Sequence, residues 1–169
     1  MRRLLLYALL LFAALSTASC RRSVEKVARK IRFEGIEQVR MQGMSMAEVD
    51  ARIDNGSAYR LTLSAARIDL YYADLLVGRF VLQEPVEIGR RTEASLQTRW
   101  RIQYYNLMYL YVMYRTLKVG ASDQIAISFE IEGRGGPVPL RFSREKMPLS
   151  EFLTTFGLTV QDVQNCLKP

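Results

Sequence analysis

Groups that transfer protons, ligate metals or attack carbonyls are sparse in this chain of 169 residues, which contains no histidine. The usual general base near neutral pH and the commonest zinc ligand are therefore missing. Two cysteines, Cys20 and Cys166, stand far apart, so no CxxC redox or zinc pattern exists. Gly43-Met44-Ser45-Met46-Ala47 differs by one residue from a nucleophile elbow, but with no His to activate the serine it reads as the entry to a strand. Gly133-Arg134-Gly135-Gly136 is flanked by alternating stretches on both sides, which makes it a hairpin rather than a phosphate loop. The sequence predicts no catalytic residue and no enzyme.

Two groupings remain. Met41, Met44 and Met46 are soft thioether donors of the kind that hold Cu(I), but methionine more often fills gaps near a sheet end. That filler role is the one expected, with no metal and no cofactor. The second grouping is Tyr104, Tyr105, Tyr109, Tyr111 and Tyr114, joined by Tyr71 and Tyr72. Aromatic bodies with polar tips could line a pocket for an amphipathic ligand, or plug the open end of a sandwich.

The elements that must position these residues begin after a leader. Arg2 and Arg3 precede an apolar run over residues 4–15, and small residues follow up to Cys20, which is the pattern of a secretory signal over residues 1–19. Ala18-Ser19-Cys20 resembles the lipobox of bacterial lipoproteins, and the resemblance implies acylation of Cys20 and a membrane-anchored, envelope location. An acylated Cys20 leaves Cys166 without a disulfide partner, so stability must come from the core. Arg21 follows Cys20 where such lipoproteins carry Asp for retention in the inner membrane, so the resemblance implies the outer membrane.

Residues 20–30 then form a basic, membrane-proximal linker. Arg21, Arg22, Lys26, Arg29 and Lys30 are followed by Arg32, with Glu25 the sole acid, and each cation near an anionic surface contributes about 1 kcal/mol. Val24, Val27, Ala28 and Ile31 also fall on one helical stripe, so an interfacial helix and a solvated linker are both open readings. The net charge of the whole chain is +7. Outside the cytoplasm that excess points to a membrane, and to an envelope protein as a further partner, rather than to nucleic acid.

The body of the chain alternates. Ala47, Val49, Ala51 and Ile53 are apolar against Glu48, Asp50, Arg52 and Asp54, the period-two signature of a half-buried strand. Asp54-Asn55-Gly56-Ser57 breaks it as a turn. Tyr59, Leu61 and Leu63 resume, and at Ala65-Ala66 the parity flips, which is read as a second turn before Ile68, Leu70 and Tyr72. Gly35 interrupts an earlier strand as a bulge, and Pro85 demotes the segment after it to an edge. Seven or eight short strands separated by turn residues predict an all-β sandwich or barrel over residues 31–146.

One segment breaks the alternation. Residues 104–118 are apolar nearly all round; as a helix they place Leu107, Leu110, Tyr111 and Tyr114 on one stripe with Arg115 and Lys118 in the last turn. A strand is the alternative, and length favours the helix. The tail, residues 147–169, repeats a helical spacing in Leu149, Phe152, Leu153 and Phe156, stopped by Gly157. Thr159 caps a further short helix carrying Val160, Val163 and Leu167, and both stripes are expected to cover a sheet edge or end.

This order resembles the type-2 late embryogenesis abundant domain, also called the WHy domain. The likeness lies in the Asn after Ile53-Asp54, in Tyr59-Arg60-Leu61-Thr62-Leu63, in Ile68-Asp69-Leu70-Tyr71-Tyr72 with Leu76-Val77-Gly78, and in the return through Leu140-Arg141-Phe142-Ser143. The resemblance implies an immunoglobulin- or fibronectin-like antiparallel β-sandwich of two sheets with one inserted helix, and a non-catalytic, stress-protective or binding role without a defined ligand. A periplasmic carrier for an apolar or amphipathic small molecule, held in a cleft between helix and sheet, is the alternative function.

Overall fold

Strands β1 (Ile31–Gln42) and β2 (Met46–Asn55) form an antiparallel hairpin that turns through Gly43, whose φ of +69° is easily reached without a side chain. The structure, a computed structural model, describes residues 29–155 and 157–161. The chain continues through β3 (Leu61–Tyr72), β4 (Leu75–Leu82), β5 (Val86–Ile88) and β6 (Thr92–Tyr104), enters helix α1 (Leu107–Lys118), returns as β7 (Ile125–Gly135) and β8 (Val138–Pro148), and passes into helix α2 (Leu149–Thr155). All pairings are antiparallel, in the order β1-β2-β6-β4-β3-β7-β8, with β5 paired to β3.

The sandwich follows from where this path is joined. β6 pairs with β2 along ten residue positions but with β4 only through Trp100 to Tyr104. The two halves of the path therefore meet at one end and splay at the other. In the splayed end Ile31, Ile53 and Leu96 from one half pack against Leu61, Ile88, Leu140 and Val138 from the other. The fold is thus an all-β antiparallel sandwich with one inserted helix and a helical tail.

A second core lies where the halves join. Tyr72, Val77, Ile125 and Ile127 on the strands are covered by Met113 and Leu117 of α1 and by Leu149 and Leu153 of α2. The expected tail stripe does pack on the sheet: Phe152 joins this cluster, its ring 5.9 Å from that of Phe129 in an edge-on contact. Gly157, at φ +67°, stops the helix as its position predicts.

Two of the parity shifts in the sequence prove to be bulges. Gly35 is a bulge, with register shifts on either side of it, as expected. Ala65-Ala66 is not a turn: β3 runs unbroken through it, and the flip is a bulge against β7 between Leu63 and Ala65. A single extra residue reverses which face is apolar as effectively as a loop does. Pro85 separates β4 from β5, and the three-residue β5 pairs with β3 alone, the edge placement a missing N–H favours.

Candidate functional site

Helix α1 starts on Asn106, whose extended backbone and side-chain Oδ1, accepting from the Tyr109 N–H at 3.1 Å, form an N-cap. Its last turn carries Arg115 and Lys118, which suit the negative end of the helix dipole, and Gly120 at φ +79° releases the chain. Leu110, Met113 and Leu117 face the sheet, and the Tyr72 hydroxyl lies 3.4 Å from Thr116 Oγ1.

The opposite stripe is apolar too. Met108, Tyr111, Val112 and Arg115 recur at i, i+3, i+4 and i+7, and Leu107 borders them. Leu107, Met108 and Tyr111 are 61%, 71% and 57% exposed. The stripe read from spacing, Leu107 with Leu110, Tyr111 and Tyr114, is not the packed face: Leu107 and Tyr111 point to solvent. A helix that is apolar all round gives periodicity no phase to report.

The five tyrosines do not converge on one cavity. Tyr104 is half-buried opposite Gly78 in the β4–β6 ladder. Tyr105 is exposed, donates from its hydroxyl to Gln103 Oε1 at 3.1 Å, and lies beneath the Arg79 guanidinium, 5.7 Å from the ring centre. Tyr109 meets Tyr72 at 6.3 Å, Tyr111 accepts from Arg115 at 3.3 Å, and half-buried Tyr114 lies under the Lys118 ammonium at 4.6 Å. Three of them, Tyr105, Tyr111 and Tyr114, each meet a cation. Arg29 and Lys30 are exposed at the start of the described chain, where the Lys30 carbonyl accepts from the Gly56 N–H at 2.9 Å. Cys20, Arg21, Arg22, Lys26, Phe156, Val163, Cys166 and Leu167 lie outside the described residues. Met41 and Met44 are exposed, Met44 in the β1–β2 turn, and Met46 is half-buried.

A groove of 570 Å³ lies away from the helix, lined by Arg67, Asp69, Tyr71, Ser128, Glu130 and Lys146 among others. Alternation along β3 makes Asp69 look like a solvent-facing residue, yet it is buried. The β3–β4 register puts it opposite Arg79, which grips it with Nε at 2.5 Å and Nη2 at 2.9 Å. Arg67 lies 3.7 Å from the same carboxylate and 3.1 Å from Glu130. That hydrogen bond to Asp69 holds the Arg79 pKa above its ordinary value. At the groove's end Lys146, at φ +46°, pairs with Asp74 at 2.8 Å; the shared hydrogen bond raises the lysine pKa and lowers the carboxylate's. These charges satisfy one another. Only the register, which spacing does not encode, would have revealed the pair.

No family model matches the chain, and no curated relative matches it. Among solved structures, a protein from Archaeoglobus fulgidus is similar at 15% identity and a TM-score of 0.42, over 66% of this chain and 92% of its own.

Proposed function

We propose that the protein is a non-catalytic, lipid-anchored module of the bacterial envelope that binds or shields surfaces under stress, working through the outer face of α1. The observation that carries this reading is that face itself: Leu107, Met108 and Tyr111 exposed side by side on a helix without one acidic residue. An apolar patch of this kind on a small domain marks a contact surface. A non-catalytic role is supported by the partners of two charges that line the groove, since Asp69 is held by Arg79 and Lys146 by Asp74. The WHy-like reading is supported by the turn at Asn55, which is a structural knot where the resemblance places its Asn.

The anchor is tested by fractionation. Cys20→Ala should move the protein from the membrane fraction to the soluble one; retention in the membrane after that substitution contradicts the lipid anchor.

A further inference from the structure

We infer that the outer face of α1 lies in the headgroup region of an anionic bilayer, as a second membrane contact beside the lipid anchor; the inference rests on the function proposed above. Met108, Tyr111 and Val112 present an apolar stripe, flanked by Leu107 and by Tyr105 one turn earlier. Tyrosines are suited to that depth, with an apolar ring in the acyl boundary and a hydroxyl at the headgroups. Charge selects the lipid. Arg115 and Lys118 sit at the end of the helix, and the helix carries no acid to repel a phosphate. The aliphatic stems of these cations can lie on the apolar surface while their heads reach upward.

Chain length permits both contacts at once. The first described residues enter β1 beside Asn55, at the end of the sandwich opposite the one where β6 delivers the chain to α1. The thirteen residues of β6 span ~40 Å. The ten residue-to-residue steps from Cys20 to Lys30 reach at most ~35 Å when extended. The sandwich therefore lies with its long axis along the surface rather than standing on its anchor. In that pose the apolar face sinks about 5–10 Å into the headgroup boundary.

The test uses the lipid-anchored protein purified from its own membranes, carrying Met108→Trp in a Trp100→Phe background, so that the reporter is the single tryptophan. It is reconstituted in vesicles of phosphatidylethanolamine and phosphatidylglycerol whose acyl chains are brominated, and in brominated phosphatidylcholine. The expected result is bromine quenching in the anionic vesicles, with Arg115→Gln weakening the partition of the Cys20→Ala form about fivefold. In the Cys20→Ala form without vesicles or detergent the same tryptophan should be open to aqueous iodide. Absence of bromine quenching while the protein still floats with the vesicles overturns the inference and leaves the anchored function standing. Failure to float removes the anchor instead, and quenching by added anionic vesicles then still upholds the helix contact. Protection from iodide without vesicles would mean that the chain's own residues cover the face, which also overturns it.

Discussion

The side-chain amide of Asn55 donates to the carbonyl of Gly89 at 2.6 Å, tying the end of β2 to the loop that opens β6, 34 residues away. Its Nδ2 also donates to the Tyr59 carbonyl at 2.9 Å, and its Oδ1 accepts from both the N–H and the hydroxyl of Ser57. Asn55 is fully buried, so every hydrogen-bonding group of this side chain is spent inside the protein. Asn55-Gly56-Ser57 reads formally as a glycosylation site, and this geometry closes it. Asn55→Ala strands the Gly89 carbonyl and the Ser57 N–H, while the Tyr59 carbonyl keeps the Ser57 hydroxyl; it should cost about 3 kcal/mol in urea unfolding. A loss below about 0.5 kcal/mol would show that water replaces the amide.

Gly133 stands where β7 crosses β3, and a Cβ there would overlap the backbone oxygen of Thr62. Because backbone on both sides must move, Gly133→Ala should destabilise by about 2 kcal/mol or more. Thermal melting of that variant beside the wild type is sufficient to check it.

Asp69 and Arg79 should be coupled. Asp69→Ala leaves the Arg79 guanidinium facing an emptied site and should cost about 2 kcal/mol, below the value for a fully buried pair because the Arg79 side chain is 28% exposed. Replacing both by leucine should recover most of that loss. A double-mutant cycle reads the coupling directly, and additive effects would contradict it.

The phase of α1 gives a paired prediction. Met113→Ala and Leu117→Ala remove side chains from the joined-end core and should each cost about 3 kcal/mol. Met108→Glu and Tyr111→Glu alter exposed positions and should stay within about 0.5 kcal/mol of the wild type. Denaturant titration of the four variants distinguishes this phase from one that buries Leu107 and Tyr111.

The Asp74–Lys146 pair sets a pH window. The Asp74 pKa is depressed by the lysine's hydrogen bond, so its contribution is present above the usual carboxylate range and lost as pH falls through the folded value. The Lys146 pKa is raised, so its contribution is present below the usual lysine range and lost as pH climbs through the raised value. Stability of the wild type relative to Asp74→Asn should therefore be constant near neutrality and converge below about pH 4. A difference that persists into strong acid would contradict the assignment.

Much of this fold is legible in the residues, and the exceptions have physical reasons. Alternation marks β2, β6 and β7 because one face of each meets the core, and Gly35, Pro85 and Gly157 punctuate as their backbone chemistry requires. Ala65-Ala66 misleads because a bulge and a turn leave the same parity flip. Asn55 is legible as a turn residue but not as a buried knot, since a polar side chain's direction depends on a loop 34 residues away. Asp69 looks solvated until the register sets Arg79 opposite it. The tyrosine helix is recognisable as an element, but its uniform apolarity conceals which side remains outside.

That outer side is the central claim, and survival under stress tests it most directly. Cells lacking the protein are complemented with the wild type or with Met108→Glu combined with Tyr111→Glu, at equal abundance and equal melting temperature, and then dried or osmotically shocked. The double variant should protect no better than the deletion. Full protection by the double variant would show that the exposed face of α1 does not perform the function.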